Sequence, residues 1–179
     1  MADNNSTSAL YVIKLVIIGE FSVGKTSLVK KYISGQFSND YRASIGTNLY
    51  ITKLTYDENT EVKIQLWDIA GQEKWIKSRA LYYSGTKAAL IVADLTRKDT
   101  LDQIEKFWYP DFRANCQLPP VILIANKNDL KSEISEEEVE ALGKKINAIS
   151  ILYTSAKTGD NVKKAFNLIA ERAIKFHKD

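Results

Sequence analysis

Cysteine is nearly absent: Cys116 is the single one, and there is also only one histidine. One cysteine closes no internal disulfide, and such a chain suits a reducing, intracellular setting. With one of each residue, a zinc cluster of cysteines and histidines is excluded. No apolar run approaches the roughly 20 residues of a membrane span. The opening MADNNSTSAL is polar and lacks the apolar stretch of a signal peptide. Ala2 stands where N-myristoylation needs glycine, and the closing IKFHKD has no cysteine to prenylate, so no lipid anchor is expected within this chain. A net charge of +3 is too small to argue for nucleic acid. The basic residues Lys163, Lys164, Arg172, Lys175 and Lys178 read as a solvated helix face. The expectation is a cytoplasmic monomer, with membrane contact left to a partner.

What is present is 45% hydrophobic and 26% charged, the composition of an ordinary globular domain. Residues 1–9 read as a disordered polar tail and residues 10–179 as one domain. Apolar runs at Tyr11–Ile18, Ala88–Ala93, Val121–Ala125 and Ile149–Tyr153 have the continuity of strands buried on both faces of a parallel sheet. Between them lie helical stripes. Val162, Ala165, Phe166, Ile169 and Ala173 form one, and Val139, Leu142 and Ile146 another behind a Ser135–Glu138 capping box. Leu101, Ile104 and Trp108 suggest a third, which Pro110 should end or kink. Leu49–Tyr56 and Glu61–Trp67 read as a hairpin joined by DENT, which makes one strand antiparallel. The fold expected is α/β, a three-layer sandwich around a mostly parallel sheet.

Chemistry concentrates in four motifs. GEFSVGKT at Gly19–Thr26 has the form G-x-x-x-x-G-K-[ST], after a strand and before a helical pattern. In that setting backbone N–H groups cradle phosphates, Lys25 reaches the β- and γ-phosphates, and Thr26 offers a hydroxyl to Mg²⁺. WDIAGQE at Trp67–Glu73 supplies Asp68 for Mg²⁺ through water, the Gly71 N–H for a γ-phosphate, and Gln72 to orient an attacking water. NKND at Asn126–Asp129 supplies a carboxylate able to accept from guanine N1–H and N2–H₂; adenine would leave Asp129 unpaired. TSAK at Thr154–Lys157 brings the Ala156 N–H near guanine O6. Phe37 either stacks on the base or belongs to the core.

These four motifs, with SIG at 44–46 between the first two, resemble in order the five signature boxes of the Ras-superfamily small GTPases, over about residues 11–176. KIQLWDIAGQE, YYSGT and IVADLT are similar to the Rab-type stretches KLQIWDTAGQE, YYRGA and LVYDIT. The resemblance implies a six-stranded sheet and a switch cycling between GTP and GDP. It implies phosphate contacts from Ser22, Val23, Gly24, Lys25, Thr26 and Ser27, with Phe21, Tyr41 and Ser155 also in the nucleotide set. Mg²⁺ falls to Thr26 and Ser44, water positioning to Gln72, and guanine to Asn126, Lys127 and Asp129 with Ala156 and Lys157. Residues 37–47 and 70–82 answer to the two switches. Exchange factors, GTPase-activating proteins and effectors are the partners implied.

Several positions depart from the family. Phe21 and Ser22 stand where small residues, often glycine, are usual. The Phe21 ring either projects at the γ-phosphate and Gln72, slowing hydrolysis and excluding an arginine finger, or lies outward. Turnover at or below about 10⁻⁴ to 10⁻³ s⁻¹ is expected. Ser44 replaces threonine. Leu49 replaces an aromatic of the Rab effector-facing triad, leaving Trp67 and Tyr82, while Trp75 adds another. A GTP-binding module with little hydrolysis is the second reading, and a P-loop kinase or ATPase the third; NKND argues against the last.

Overall fold

The computed structural model describes residues 9–37, 46–57, 60–71, 76–116 and 118–178. Six strands form one sheet: β1 (Ala9–Gly19), β2 (Thr47–Asp57), β3 (Thr60–Ile69), β4 (Ala88–Asp94), β5 (Val121–Asn126) and β6 (Ser150–Thr154). Their order is β2-β3-β1-β4-β5-β6. Among the described residues only the β2–β3 pair is antiparallel; β1 pairs parallel with β3 and β4, and β5 with β4 and β6. The hairpin and the mostly parallel sheet follow the sequence reading. Ala9, assigned to the polar tail, instead opens β1, in register with Thr60.

Strand alternation divides the core. Ile13, Leu15 and Ile17 of β1, with Val62, Ile64 and Leu66 of β3, face α1 (Lys25–Ser34) and α6 (Val162–Lys178). There Tyr32 stacks on Phe166 at 4.4 Å between centroids. Val16 and Ile18 turn to the other face, which holds α2 (Ile76–Tyr83), α3 (Asp99–Gln103), α4 (Tyr109–Asn115) and α5 (Glu136–Lys145). Every residue of β4 and β5 is buried, as continuous apolar runs between two helical layers require.

Pro110 does not end its helix. Five residues before it, Ile104–Trp108, form a π-helical turn joining α3 to α4, and the Tyr109 N–H bonds the Ile104 carbonyl, five residues back. A π-turn widens the helix and shifts its hydrogen-bond register, so the chain passes the position where proline has no N–H to give. Ser135 caps α5 as expected: its hydroxyl accepts from Glu138 N–H at 3.2 Å, and Glu138 Oε2 accepts from Ser135 N–H at 3.0 Å.

From β1 the chain passes through α1 to β2 and β3 on one side, then crosses to β4 on the other. That reversal is a topological switch point, where open α/β sheets bind ligands beyond the carboxyl ends of the strands. All four motifs begin or end at that edge.

Candidate functional site

The Gly19–Thr26 loop joins β1 to α1 at the switch point. Gly24 has φ +102°, and a Cβ there would lie 2.4 Å from Asn126 Nδ2, so both its backbone angle and its neighbour demand glycine. Lys25 is buried and folds back over the loop, its Nζ donating to the carbonyls of Gly19 and Glu20, each at 2.8 Å. This fixes the ammonium above the loop rather than in solvent. The Phe21 N–H donates to Glu20 Oε1 at 2.7 Å, so a loop amide already serves an anionic oxygen. Val23 is fully buried; Ser22 and Ser27 are half-buried.

Thr26 Oγ1 donates to Asp68 Oδ2 at 2.5 Å. Asp68 is completely buried and its Oδ1 has no hydrogen-bond partner among the described residues. Burial raises its carboxyl above the ordinary range, against the opposing pulls of the Thr26 hydroxyl, Lys25 and Asn48. A buried carboxylate oxygen left open beside a hydroxyl offers hard-oxygen donors of the kind that would fit Mg²⁺. Among the described residues no three carboxylates, histidines or cysteines gather to hold a metal by themselves. Gly71 packs directly on the phosphate loop: a Cβ on it would meet Phe21 N at 2.5 Å and the Glu20 carbonyl carbon at 2.6 Å.

Asn126, at the end of β5, joins two loops. Its Nδ2 donates to the Val23 carbonyl at 2.9 Å; its Oδ1 accepts from Thr154 Oγ1 at 3.1 Å and from Ala156 N–H at 3.3 Å. The Ala156 amide, expected to face guanine, is thus also held by Asn126 through a long bond. Asp129 Oδ1 accepts from Ser155 Oγ at 2.6 Å, and Lys157 Nζ lies 3.9 Å from its Oδ2. Lys127 has φ +68°, and its Nζ lies 2.5 Å from Asp94 Oδ2. The two carboxylates serve different groups: Asp94, fully buried, holds Lys127, while Asp129, with 15% of its side chain exposed, takes the Ser155 hydroxyl and lies near Lys157. Phe37 is 37% exposed, outside both core clusters.

Sequence reading passed over Asp94, Thr154 and Arg97. An acid closing the buried run AALIVAD was a visible sign for Asp94. Thr154 lay inside a motif already noted. Arg97, whose Nη1 donates to the Phe21 carbonyl at 2.9 Å from 76 residues away, gave no sign. Tyr41, Ser44, Gln72 and Trp75 lie outside the described residues. The phosphate loop, Asp68, Gly71 and the NKND and TSAK loops are brought together at one edge.

The Ras family model matches residues 14–175. The chain belongs to the Ras family. It is 34% identical over 175 residues to the Ras-related protein Rab-32 of Homo sapiens, covering 94% of this chain and 77% of that protein. It is 31% identical to the Ras-related protein Rab-7L1 of Rattus norvegicus, covering 92% and 83%. With the Ypt/Rab-type GTPase YPT7 of Saccharomyces cerevisiae it shares 33% identity, covering 91% and 82%. This small GTPase is of the Rab type and binds guanine nucleotide. Of the Rab-like aromatics, Trp67 is half-buried with its ring 6.2 Å from Tyr82, and Lys14 Nζ lies 4.0 Å over it. Leu49, in register with Trp67, is 48% exposed. Among the described residues no helix is long and apolar enough to cross a membrane.

Proposed function

We propose that this chain is a molecular switch that hydrolyses GTP slowly and engages effectors through two nucleotide-sensitive segments, residues 37–47 and 70–82. The observation that carries the reading is the joint geometry of Lys25, Thr26 and Asp68. A buried ammonium covers the loop, and a buried carboxylate with one open oxygen lies bonded to the Thr26 hydroxyl. Phosphates sit on the N–H groups of residues 22–27, with Lys25 neutralising the terminal ones. Thr26 and Ser44 would hold Mg²⁺, with Asp68 acting through water; bound there, the ion would supply charge neutralisation at the phosphates. Asp129 accepts from the guanine edge, Lys127 and Asn126 fix the wall of that pocket, and Ser155, Ala156 and Lys157 close it. Phe37 stacks on the base, and Tyr41 belongs to the nucleotide-binding set.

Gln72 orients the attacking water, and Gly71 lets its own segment approach the loop. Partners are an exchange factor, a GTPase-activating protein and effectors, the last docking near Leu49, Trp67 and Tyr82, where partly exposed apolar groups cluster.

Phe21 sets the rate. Its side chain is 37% exposed at the mouth of the loop and its amide lies against Gly71. The ring crowds the room in which Gln72 works, slowing hydrolysis without abolishing it, and fills the room of an arginine finger, a group worth about 10³–10⁵ in rate. Phe21→Gly is expected to raise single-turnover hydrolysis and to sensitise the protein to an activating partner. Unchanged rates in both conditions would show that the ring obstructs nothing.

A further inference from the structure

We propose that Arg97 is a positioning residue for the phosphate loop, holding the Phe21–Ser22 peptide in the orientation that turns the Ser22 N–H towards bound phosphate. This rests on the nucleotide reading above. Ser22 has φ +66°, in the left-handed region that glycine enters freely and other residues resist. The chain therefore holds a strained peptide where this family usually carries a small residue, often glycine. Strain of this kind persists only where the surroundings over-determine it.

Arg97 supplies that constraint. Its Nη1 donates to the Phe21 carbonyl at 2.9 Å. The peptide is trans, since the described residues contain no cis bond. In a trans peptide the C=O and the following N–H point in opposite directions. Fixing the Phe21 oxygen outward, towards α3, therefore fixes the Ser22 N–H inward. The guanidinium is itself held: Nη2 donates to Asp99 Oδ2 at 3.0 Å, and Nε approaches Asp99 Oδ1 at 3.4 Å. A planar fork locked on a carboxylate presents its remaining donor in a set direction, which a lysine cannot do. Backbone bonds secure the other end: Arg97 N–H donates to the Asp94 carbonyl at 2.9 Å, and its own carbonyl accepts from Thr100 Oγ1 at 2.7 Å. The loop is thereby braced from the end of β4, the same segment whose Asp94 holds Lys127 of the base pocket.

The test is the GDP dissociation rate, followed with a fluorescent GDP in excess Mg²⁺ and unlabelled GDP. Arg97→Ala is expected to speed release about three- to tenfold, the share of a charge-assisted hydrogen bond expected at a partly exposed site. Arg97→Lys keeps the charge and a donor but loses the fork, and should fall between. The deciding variant is Ser22→Gly, which removes the strain the brace opposes. In that background Arg97→Ala should change release by about twofold or less, whereas a general loss of folding stability would not be repaired by a glycine in the loop. Wild-type release rates in both Arg97→Ala and Arg97→Lys would overturn the inference. So would an undiminished Arg97→Ala effect in the Ser22→Gly background. Failure of the unmodified protein to retain GDP at all would instead overturn the nucleotide reading, and this inference with it.

Discussion

Asn126 turns both ends of its amide to the protein. One end holds the phosphate loop through the Val23 carbonyl, and the other holds Thr154 and Ala156. The residue couples the phosphate and base halves of the pocket instead of merely lining one of them. Asn126→Ala leaves a buried carbonyl, a hydroxyl and an amide without their partner, and losses of this kind cost about 2–4 kcal/mol together. The expected outcome is a lower melting temperature and GDP release faster by at least an order of magnitude, read by thermal denaturation and nucleotide exchange. A stable variant with unchanged release would show that the two loops hold each other by other means. At the same scale, Lys25, Thr26 and Asp68 were legible as candidates for phosphate and metal because their spacing is tied to backbone chemistry, and the structure brings the three together. What spacing did not convey is that Lys25 rests on two loop carbonyls while Asp68 keeps one oxygen open in full burial.

Helices show where local signals suffice and where packing overrides them. The α5 start was readable from Ser135–Glu138 because a capping box is a contact between residues three apart. Its Glu138 carboxyl is held below the usual range first by Lys98, then by the Ser135 N–H. A carboxyl depressed in the folded state adds stability above its unfolded value, near 4.5, and loses it as pH falls through the lower folded value. The stability difference between the protein and its Glu138→Gln variant should therefore be present at neutral pH and fade below about pH 4.5. Ser135→Ala should cost about 1 kcal/mol by denaturant titration; no change in midpoint would mean the cap is satisfied by solvent. The α3–α4 segment is the opposite case. Pro110 signals a stop or a kink, and Ile104, Trp108 and Phe112, almost fully buried, keep the chain helical past it. The π-turn is the local cost of that packing.

Across the whole molecule, the buried parallel strands were legible because continuous apolar runs have few other uses in a chain of this size. Strand order was not, since adjacency in a sheet depends on crossovers that leave no local mark. Neither was the Arg97 brace or the Asp94–Lys127 pair, each made by residues far apart in sequence that meet only at the switch point. The central claim is that this site turns over GTP slowly as a switch. Single-turnover hydrolysis tests it most directly: the protein is loaded with GTP and Mg²⁺, and GDP is quantified over hours beside Gln72→Leu. Slow GDP formation, at or below about 10⁻³ s⁻¹, that Gln72→Leu suppresses is the predicted result. Stably bound GTP with no GDP formed would contradict it and leave a GTP-binding interaction module in its place.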